Sequence, residues 1–404
     1  MVNLTTQLKD RLQSIISEAV ESKRTPGLVF GVATLDGEQF FAHAGDRVFG
    51  EPSAGPIGED SVMWICSQTK MLASIATFQL VEAGKLRLDD VAAKYLPELA
   101  NPVVLDKDPQ LKQPSFRQPQ TEITVRHLLN HSSGLDYGHK DRICEYHLPT
   151  VYTTAHEKLD PVRRFYELRR GLYPTQLLKF EPGTSFAYSY GPDSLGFIIE
   201  RITGQSLEEY YKEHIFSPLG ITSASFYLTP NLKQKSVPLV FRESDGKIVP
   251  WASQVPIIVQ DPEQVHLHMS GVGLYCSMKD YLTILQHLLQ IRAGTAVNPI
   301  LSKASLDTFF QPTLTPLGVE ELNDWSGKRG HQYSTALALW TVDEPGRRRK
   351  GSAGWYGWAN TEYFIDPETG VALVFGSQIV PRQDPEVMKV FEQLEEAFYR
   401  GLEA

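Results

Sequence analysis

The amino-acid sequence predicts an α+β fold: a central antiparallel sheet flanked by helices and built from both chain ends, with a mainly helical lobe inserted between them. Three observations carry this expectation. Strand-like runs rich in apolar and β-branched residues stand near both ends, Leu28 to Thr34 and Gln39 to His43 early, Glu362 to Ile365 and Val371 to Ser377 late. Each pair is joined by a turn signal, Asp36-Gly37 in the first and Pro367-Glu368-Thr369-Gly370 in the second, so each reads as a hairpin. Amphipathic helical patterns flank the hairpins, from about Thr5 to Ser22 and from Pro385 to Leu402. Strands at both termini with helices beside them imply one sheet assembled from the two ends. The expected division is a sheet domain of residues 1–88 and 270–404 and a helical lobe with long loops over 89–269.

A chain of 404 residues exceeds one ordinary core, which agrees with two packed lobes. Apolar content of 42% and charge content of 22% are ordinary for a globular protein. The net charge of −9 weighs against nucleic acid as a partner, because phosphate binding rests on clustered positive charge. The one basic run, Arg347-Arg348-Arg349-Lys350, follows Pro345-Gly346 and reads as a solvated turn or strand start. Cys66, Cys144 and Cys276 are too few and too scattered for a disulfide framework or a zinc site, so reduced thiols are expected. Charges run through the amphipathic pattern of Met1 to Arg24, and no signal-peptide core or membrane span is visible. No membrane partner and an intracellular, cytoplasmic location are therefore expected. Within the inserted lobe, the connections Asn101 to Gln120 and Leu228 to Pro256 each carry several prolines. Long ordered loops commonly serve as walls or lids, and these are expected to frame a cleft between lobe and sheet.

Chemistry enters at Ser67-Gln68-Thr69-Lys70. An apolar stretch precedes it, and a helix is expected over Ser67 to Ala83 with Met71, Ile75, Phe78, Leu80 and Val81 on a broad buried face. Two helical residues three apart share a face, with Cβ atoms about 5–6 Å apart, so the amine can reach the hydroxyl. Serine is a poor nucleophile until a neighbouring base takes its proton. Lysine can be that base only if desolvation or nearby positive charge lowers its pKa. The same spacing recurs at Ser244-Asp245-Gly246-Lys247, but Asp-Gly there marks a surface hairpin turn. The Gly-x-Ser-x-Gly elbow of α/β-hydrolases is absent. His156-Glu157 is followed by Asp160 where a zincin needs a second histidine, and no phosphate-cradling glycine loop occurs. His127 and His131 lie four apart without a third ligand at useful spacing, so both are expected to be hydrogen-bonded in a helix and its exit. Neither a metal nor a cofactor is expected.

Three further ordered blocks give the tetrapeptide its context. Thr124-Val125-Arg126-His127-Leu128-Leu129-Asn130-His131-Ser132-Ser133-Gly134-Leu135 follows the Ser-x-x-Lys helix. Pro182-Gly183-Thr184-Ser185-Phe186-Ala187-Tyr188-Ser189-Tyr190 comes next, and Ser270-Gly271-Val272-Gly273-Leu274 comes later. Together they resemble the serine β-lactamase and penicillin-binding-protein superfamily, in its class C and esterase branch, over most of the chain. The resemblance implies that Ser67 is the acylated nucleophile and Lys70 its partner base. It implies that Tyr188 relays the proton to the leaving group, as phenolate or as phenol polarised by lysine; otherwise Tyr188 is a strand or core aromatic. The stretch matching the family's Lys-Thr-Gly strand is Trp355-Tyr356-Gly357-Trp358. Gly357 would let that strand approach the substrate, and the backbone N–H groups of Ser67 and Trp358 would form the oxyanion hole.

Two departures point away from lactams. Trp355 replaces the lysine that helps hold a substrate carboxylate, and Tyr190 replaces the Asn of Tyr-x-Asn. Family VIII carboxylesterases and lovastatin-type transesterases are similar to this chain at both positions. Substrate contacts are therefore expected from Tyr137, Tyr190, Trp355 and Gly357, against strand packing as the alternative for the aromatic residues of 355–358. The resulting expectation is a cofactor-free serine ester hydrolase or acyltransferase that forms an acyl-serine. Its partners would be a small-molecule ester or thioester donor and an acceptor alcohol or carrier-protein thioester. β-Lactamase or D-amino-acid peptidase action is the alternative within this chemistry, and a non-enzymatic ligand binder the alternative outside it.

Overall fold

Both termini contribute to one seven-stranded sheet, whose two faces are covered by different sets of helices. The structure is a computed structural model and describes residues 2–106, 115–137, 155–156, 159–171, 173–251 and 258–403. Helix α1 (Thr6–Glu21) starts at Thr5, whose hydroxyl accepts the Leu8 N–H, and leads into β1 (Gly27–Thr34) and β2 (Gly37–Gly45). Strand β3 (Val62–Trp64) and helix α2 (Thr69–Glu82) follow. In the inserted region lie α3 (Val125–Leu129), α4 (Pro161–Arg170) and α5 (Gly191–Thr203). The chain then returns through β4 (Tyr275–Ser277), α6 (Met278–Ala293) and α7 (Pro316–Ser326). Strands β5 (His331–Tyr333), β6 (Ala338–Trp340), β7 (Ala353–Gly357), β8 (Thr361–Asp366) and β9 (Val371–Gly376) precede the closing helix α8 (Pro385–Glu403).

The sheet order is β5-β6-β7-β8-β9-β1-β2, so the late hairpin docks directly on the early one. Antiparallel register places Phe30 opposite Phe375 and Val32 opposite Leu373. Side chains alternate across a strand. Leu28, Phe30, Val32, Leu373 and Phe375 accordingly join Leu12, Ile16, Phe391 and Leu394 of α1 and α8 on one face. Val29, Ala33, Ala372 and Val374 join the main core with α2 and α6 on the other. Burial on both faces explains why β1 and β9 are apolar throughout rather than alternating.

Several expectations are adjusted by packing that lies far away in sequence. The early turn is Leu35-Asp36, with Gly37 already in β2, and a bulge falls between Val32 and Ala33. The connection 101–120 carries two short strands, Val103–Asp106 and Ser115–Arg117, which join Leu177–Leu178 in a small sheet. The 228–256 stretch carries the helix Pro230–Lys235 and the hairpin of Val240–Arg242 with Ile248–Pro250. Ser244-Asp245-Gly246-Lys247 forms the turn of that hairpin, with Gly246 at φ +89. Arg348 corrects the solvated reading of the basic run. It is buried, its guanidinium donates to both carboxylate oxygens of Glu395 on α8 at 2.6 and 2.8 Å, and it lies over the Phe364 ring. A partner on a distant helix makes that burial tolerable. Cys66 and Cys276 are buried free thiols, and Cys144 lies outside the described residues. No helix among the described residues is long and apolar enough to cross a membrane.

Candidate active site

Strand β3 pairs antiparallel with β4, and the ladder continues as the Ile65 N–H donates to the Leu274 carbonyl at 3.1 Å. The chain then turns sharply at Cys66, whose φ of +45 is unusual for a residue with a Cβ. Ser67 sits in a 3₁₀ turn, Cys66–Gln68, that runs into α2 rather than within the α-helix itself. Thr69 fixes this turn: its hydroxyl donates to the Cys66 carbonyl at 2.6 Å and accepts the Leu274 N–H at 3.2 Å. Helix α2 is buried on nearly every side, not on one broad face, because α5 packs along it and its side chains join the main core. Ser67 is left 8% exposed at the helix entrance.

Lys70 stands one turn further on, with Nζ 3.2 Å from Ser67 Oγ and 2.6 Å from the Gly271 carbonyl oxygen. The ammonium also lies over two aromatic faces, 4.7 Å from the Tyr188 ring centre and 5.2 Å from that of Tyr137. Burial drives its pKa down to about 8, against the opposing pull of Asp193 and Cys66. Asp193, in the first turn of α5, is fully buried. It accepts the Gly271 N–H at 2.7 Å and the Tyr137 hydroxyl at 3.4 Å. Gly271 leaves no room for a side chain there, since a Cβ would meet Asp193 Oδ2 at 2.4 Å. The residue whose carbonyl receives Lys70 is thus itself held, through its N–H, by a carboxylate. In the sequence, Asp193 had only the appearance of an acid favourable to a helix N-terminus.

Tyr188 lies just before α5, and its ring packs 5.3 Å from Tyr137 and 4.9 Å from Trp325 on α7. Its hydroxyl accepts the Trp355 indole N–H at 3.2 Å. Burial pushes the phenol above its ordinary pKa, while hydrogen bonding with Ser67 and Trp355 and the positive field of Arg382 act the other way. His131 backs this tyrosine at 4.9 Å, and its Nδ1 accepts the Ser189 N–H at 3.2 Å. Burial and the Lys70 charge hold that imidazole well below its usual pKa, in the neutral form. His127 closes the capping box of α3 with Thr124.

Strand β7 forms the opposite wall. A Cβ on Gly357 would meet Thr361 Oγ1 at 2.2 Å and the Ile65 carbonyl oxygen at 2.6 Å, so the strand runs hard against the turn that carries Ser67. The amides of Trp358 and Ser67 both interact with the Cys66 sulfur, which lies 3.8 Å from Ser67 Oγ. Both expected oxyanion donors therefore lie near the Cys66 sulfur, beside the serine. Trp358 itself packs between Trp64 and Trp251, at ring separations of 6.1 and 5.4 Å.

Trp355 is buried, stacks on Tyr356 at 4.7 Å and lies parallel to Trp325 at 6.1 Å. Tyr137 lines the site, but Tyr190 does not. Its ring is fully buried behind Tyr137, packs on Phe165 and Tyr166, and its hydroxyl donates to Gln176 at 3.2 Å. The expected substrate contact of Tyr190 is corrected to a core position, because α4 supplies an apolar seat for its ring. Trp325, 39% exposed at the end of a polar helix, was missed in the sequence; a lone indole in Asn323-Asp324-Trp325-Ser326 was the available signal.

The chain is 27% identical to a monacolin J acid methylbutanoyltransferase of Aspergillus terreus, over 96% of this chain and 95% of that protein. It is also 27% identical to a lovastatin esterase of Penicillium rubens, over 95% of this chain and 96% of that protein. Among solved structures, the LovD6 mutant of simvastatin synthase from Aspergillus terreus superposes with a TM-score of 0.80 at 27% identity, covering 98% of this chain and 96% of that one. EstCE1, a hydrolase with promiscuous acyltransferase activity, shares the fold at a TM-score of 0.72 and 19% identity, over 97% of this chain and 98% of that one. The family model described as Beta-lactamase matches residues 12–396. With its Ser-x-x-Lys turn, tyrosine and glycine-bearing strand in one cleft, the chain belongs to the Beta-lactamase family.

Proposed function

We propose that this protein is a serine ester hydrolase or acyltransferase that works through an acyl-Ser67 intermediate. The observation that carries the reading is Lys70 Nζ at 3.2 Å from Ser67 Oγ, with the amine desolvated enough to titrate at about 8. In the free-base form Lys70 takes the Ser67 proton as Oγ attacks the acyl carbon. The Ser67 and Trp358 amides donate to the oxyanion that forms. Collapse of the tetrahedral intermediate expels an alkoxide or thiolate, which takes its proton from Tyr188 as Tyr188 is resupplied by Lys70. With its phenol raised by burial, Tyr188 suits the role of neutral relay rather than resident phenolate. Water or an alcohol then attacks the acyl-serine, and the proton path runs in reverse.

The methylbutanoyltransferases among the relatives favour a short acyl donor, as ester or thioester, and an alcohol acceptor. A carrier-protein thioester is a natural donor for the same chemistry. Trp355 favours this reading over lactam or D-peptide cleavage, because its indole is committed to Tyr188 where the lactam-binding lysine would stand. The test is intact mass and turnover with a p-nitrophenyl ester beside a chromogenic cephalosporin. Ester cleavage, an acyl adduct on Ser67 and loss of both in Ser67→Ala are expected. Turnover surviving in Ser67→Ala, absence of any adduct, or efficient lactam cleavage with weak ester cleavage would overturn the reading. A thioester donor offered with and without a panel of alcohols then reads the partition between free acid and transferred ester.

A further inference from the structure

Tyr188 stands on a stretch with no helix or strand of its own, since Phe186, Ala187, Tyr188 and Ser189 run irregularly into the start of α5. A side chain on such a stretch is aimed only as well as the contacts that fasten it. Trp355 holds the far end of the phenol through the bond of 3.2 Å to its hydroxyl. At the near end the Tyr188 carbonyl accepts the Tyr137 N–H at a long 3.4 Å, and the closer bonds go to His131. The His131 carbonyl accepts the Ala187 N–H at 3.0 Å, and its ring Nδ1 accepts the Ser189 N–H at 3.2 Å. The residues on both sides of Tyr188 are thus bonded to one residue, whose imidazole also packs on the phenol with ring centres 4.9 Å apart. Bonds on either side extend the seam: the Gly183 N–H donates to the Ser132 carbonyl at 2.8 Å and the Lys179 N–H to that of Gly134 at 2.7 Å.

The state of the imidazole follows from its neighbours. Nδ1 lies 3.1 Å from Ser189 Oγ, an oxygen that accepts the Gly191 N–H at 3.2 Å and so has its own proton to give to the ring. Accepting the Ser189 N–H requires a lone pair on Nδ1, which puts the ring proton on Nε2. Burial and the Lys70 charge keep the ring neutral, as this arrangement needs. Nε2 has no hydrogen-bond partner among the described residues, and the ring stands edge-to-face with Phe186 and Tyr333 at 5.8 and 5.2 Å. His131 is fully buried, so its part in the reaction is exerted through Tyr188. It also carries a φ of +61 just past the end of α3, a position that glycine or asparagine usually fills.

We propose that His131 is the positioning residue for Tyr188: it clamps the chain on both sides of the tyrosine and sets the aim of the phenol hydroxyl at Ser67 and Lys70. The consequence for rate rests on the acyl-serine reading, in which Tyr188 protonates the departing group. A displacement of about 1 Å in a reacting group can cost a factor of about 10². The cost falls where the proton is needed. Ethoxide must be protonated as it leaves, whereas p-nitrophenolate departs as the anion, so a misaimed phenol slows ethyl butanoate far more than p-nitrophenyl butanoate.

The test is the ratio of kcat/KM for p-nitrophenyl butanoate to that for ethyl butanoate, two esters with one acyl group. His131→Asn is the conservative variant: asparagine suits the left-handed φ, and its amide oxygen branches from Cγ as Nδ1 does. His131→Gly suits the φ without an acceptor and His131→Leu fills the space without one, so the test survives failure of either protein to fold. The ratio is expected to rise about tenfold or more in His131→Gly and His131→Leu, and to return to within about threefold of the parent in His131→Asn. In Tyr188→Phe, which has no hydroxyl to aim, the ratio is raised already and adding His131→Leu moves it no further. Equal loss on both esters, no recovery in His131→Asn, or a full further rise in the Tyr188→Phe background overturns the proposal. A parent that cleaves neither ester refutes the acyl-serine reading, and a ratio unmoved by Tyr188→Phe alone refutes the relay role of Tyr188. In either case hydrogen exchange of the Ser189 amide decides on the clamp itself. Exchange about tenfold faster in His131→Leu and slowed again in His131→Asn supports it, and unchanged exchange overturns it.

Discussion

Replacing Asp193 by asparagine separates the charge of this residue from its hydrogen bond. Lys70 titrates at about 8 because burial lowers it while Asp193 pulls it back up. A one-unit gap leaves about one lysine in ten as free amine at pH 7. An opposite charge within ~4–6 Å typically moves a pKa by about 1–3 units. Taking the lower end, Asp193→Asn brings Lys70 to about 7 and raises the base-competent fraction at neutral pH about fivefold. The asparagine carbonyl can still accept the Gly271 N–H that Asp193 takes at 2.7 Å, so the carbonyl that receives Lys70 stays in place. The measurement is the pH profile of kcat/KM on a neutral p-nitrophenyl ester. Activity in the parent should rise with pH through an apparent pKa of about 8, and the same limb should move down by about one unit in Asp193→Asn. A limb that stays where it was, with kcat merely scaled, would mean that Lys70 is not the titrating base or that Asp193 does not act on it. Asp193→Ala is the control, since it also orphans the Gly271 N–H and should cost about 1–3 kcal/mol in stability.

Three further outcomes are expected. Tyr188→Phe keeps the ring contacts with Trp325 and Trp355 but removes the hydroxyl, and should lower kcat by about 10²–10⁴ with KM little changed; a loss under about tenfold would remove Tyr188 from the proton path. Gly357→Ala places a methyl 2.6 Å from the Ile65 carbonyl oxygen, forcing β7 away from the Ser67 turn, so acyl-enzyme formation should fall and stability should drop by about 1–3 kcal/mol. Adding Thr361→Ala relieves the 2.2 Å contact but not the one with Ile65, and should fail to restore the rate. Glu362 has a folded pKa raised to about 7, so the folded state holds a proton that the unfolded state releases from about 4.5 upward. The stability it contributes is full below that ordinary value and is lost as pH rises through 7. Glu362→Gln should therefore gain about 1–3 kcal/mol over the parent at pH 8 and close to nothing at pH 4, read by thermal unfolding at the two pH values.

The parts of the fold legible in the sequence are those whose cause is local. Both hairpins rest on turn residues beside strand-forming runs, and the helix from Thr5 to Ser22 is fixed by its cap and apolar spacing, so their observed ranges differ by only a residue or two. Ser67 and Lys70 could be paired because their spacing alone brings them together, although the serine occupies a 3₁₀ turn. What escaped the sequence depends on partners distant along the chain. Tyr190 is buried by α4, Arg348 by Glu395 some 47 residues away, and Asp193 acquires its role only when Gly271 is brought against it. Strands β5 and β6, three residues each, are too short to stand out by alternation.

The hydrogen bond from Trp355 to Tyr188 makes two positions mutually dependent. Reintroducing a lysine at 355 to recover lactam recognition would delete the donor that holds the phenol and set a second cation near Lys70, depressing the readiness of the first to accept a proton. The gain in ligand attraction and the loss in acylation would arise from the same substitution. A stepwise route between a lactam-cleaving and an ester-handling member of this fold therefore crosses a poorly active intermediate, unless another residue takes over the tether before the tryptophan is given up.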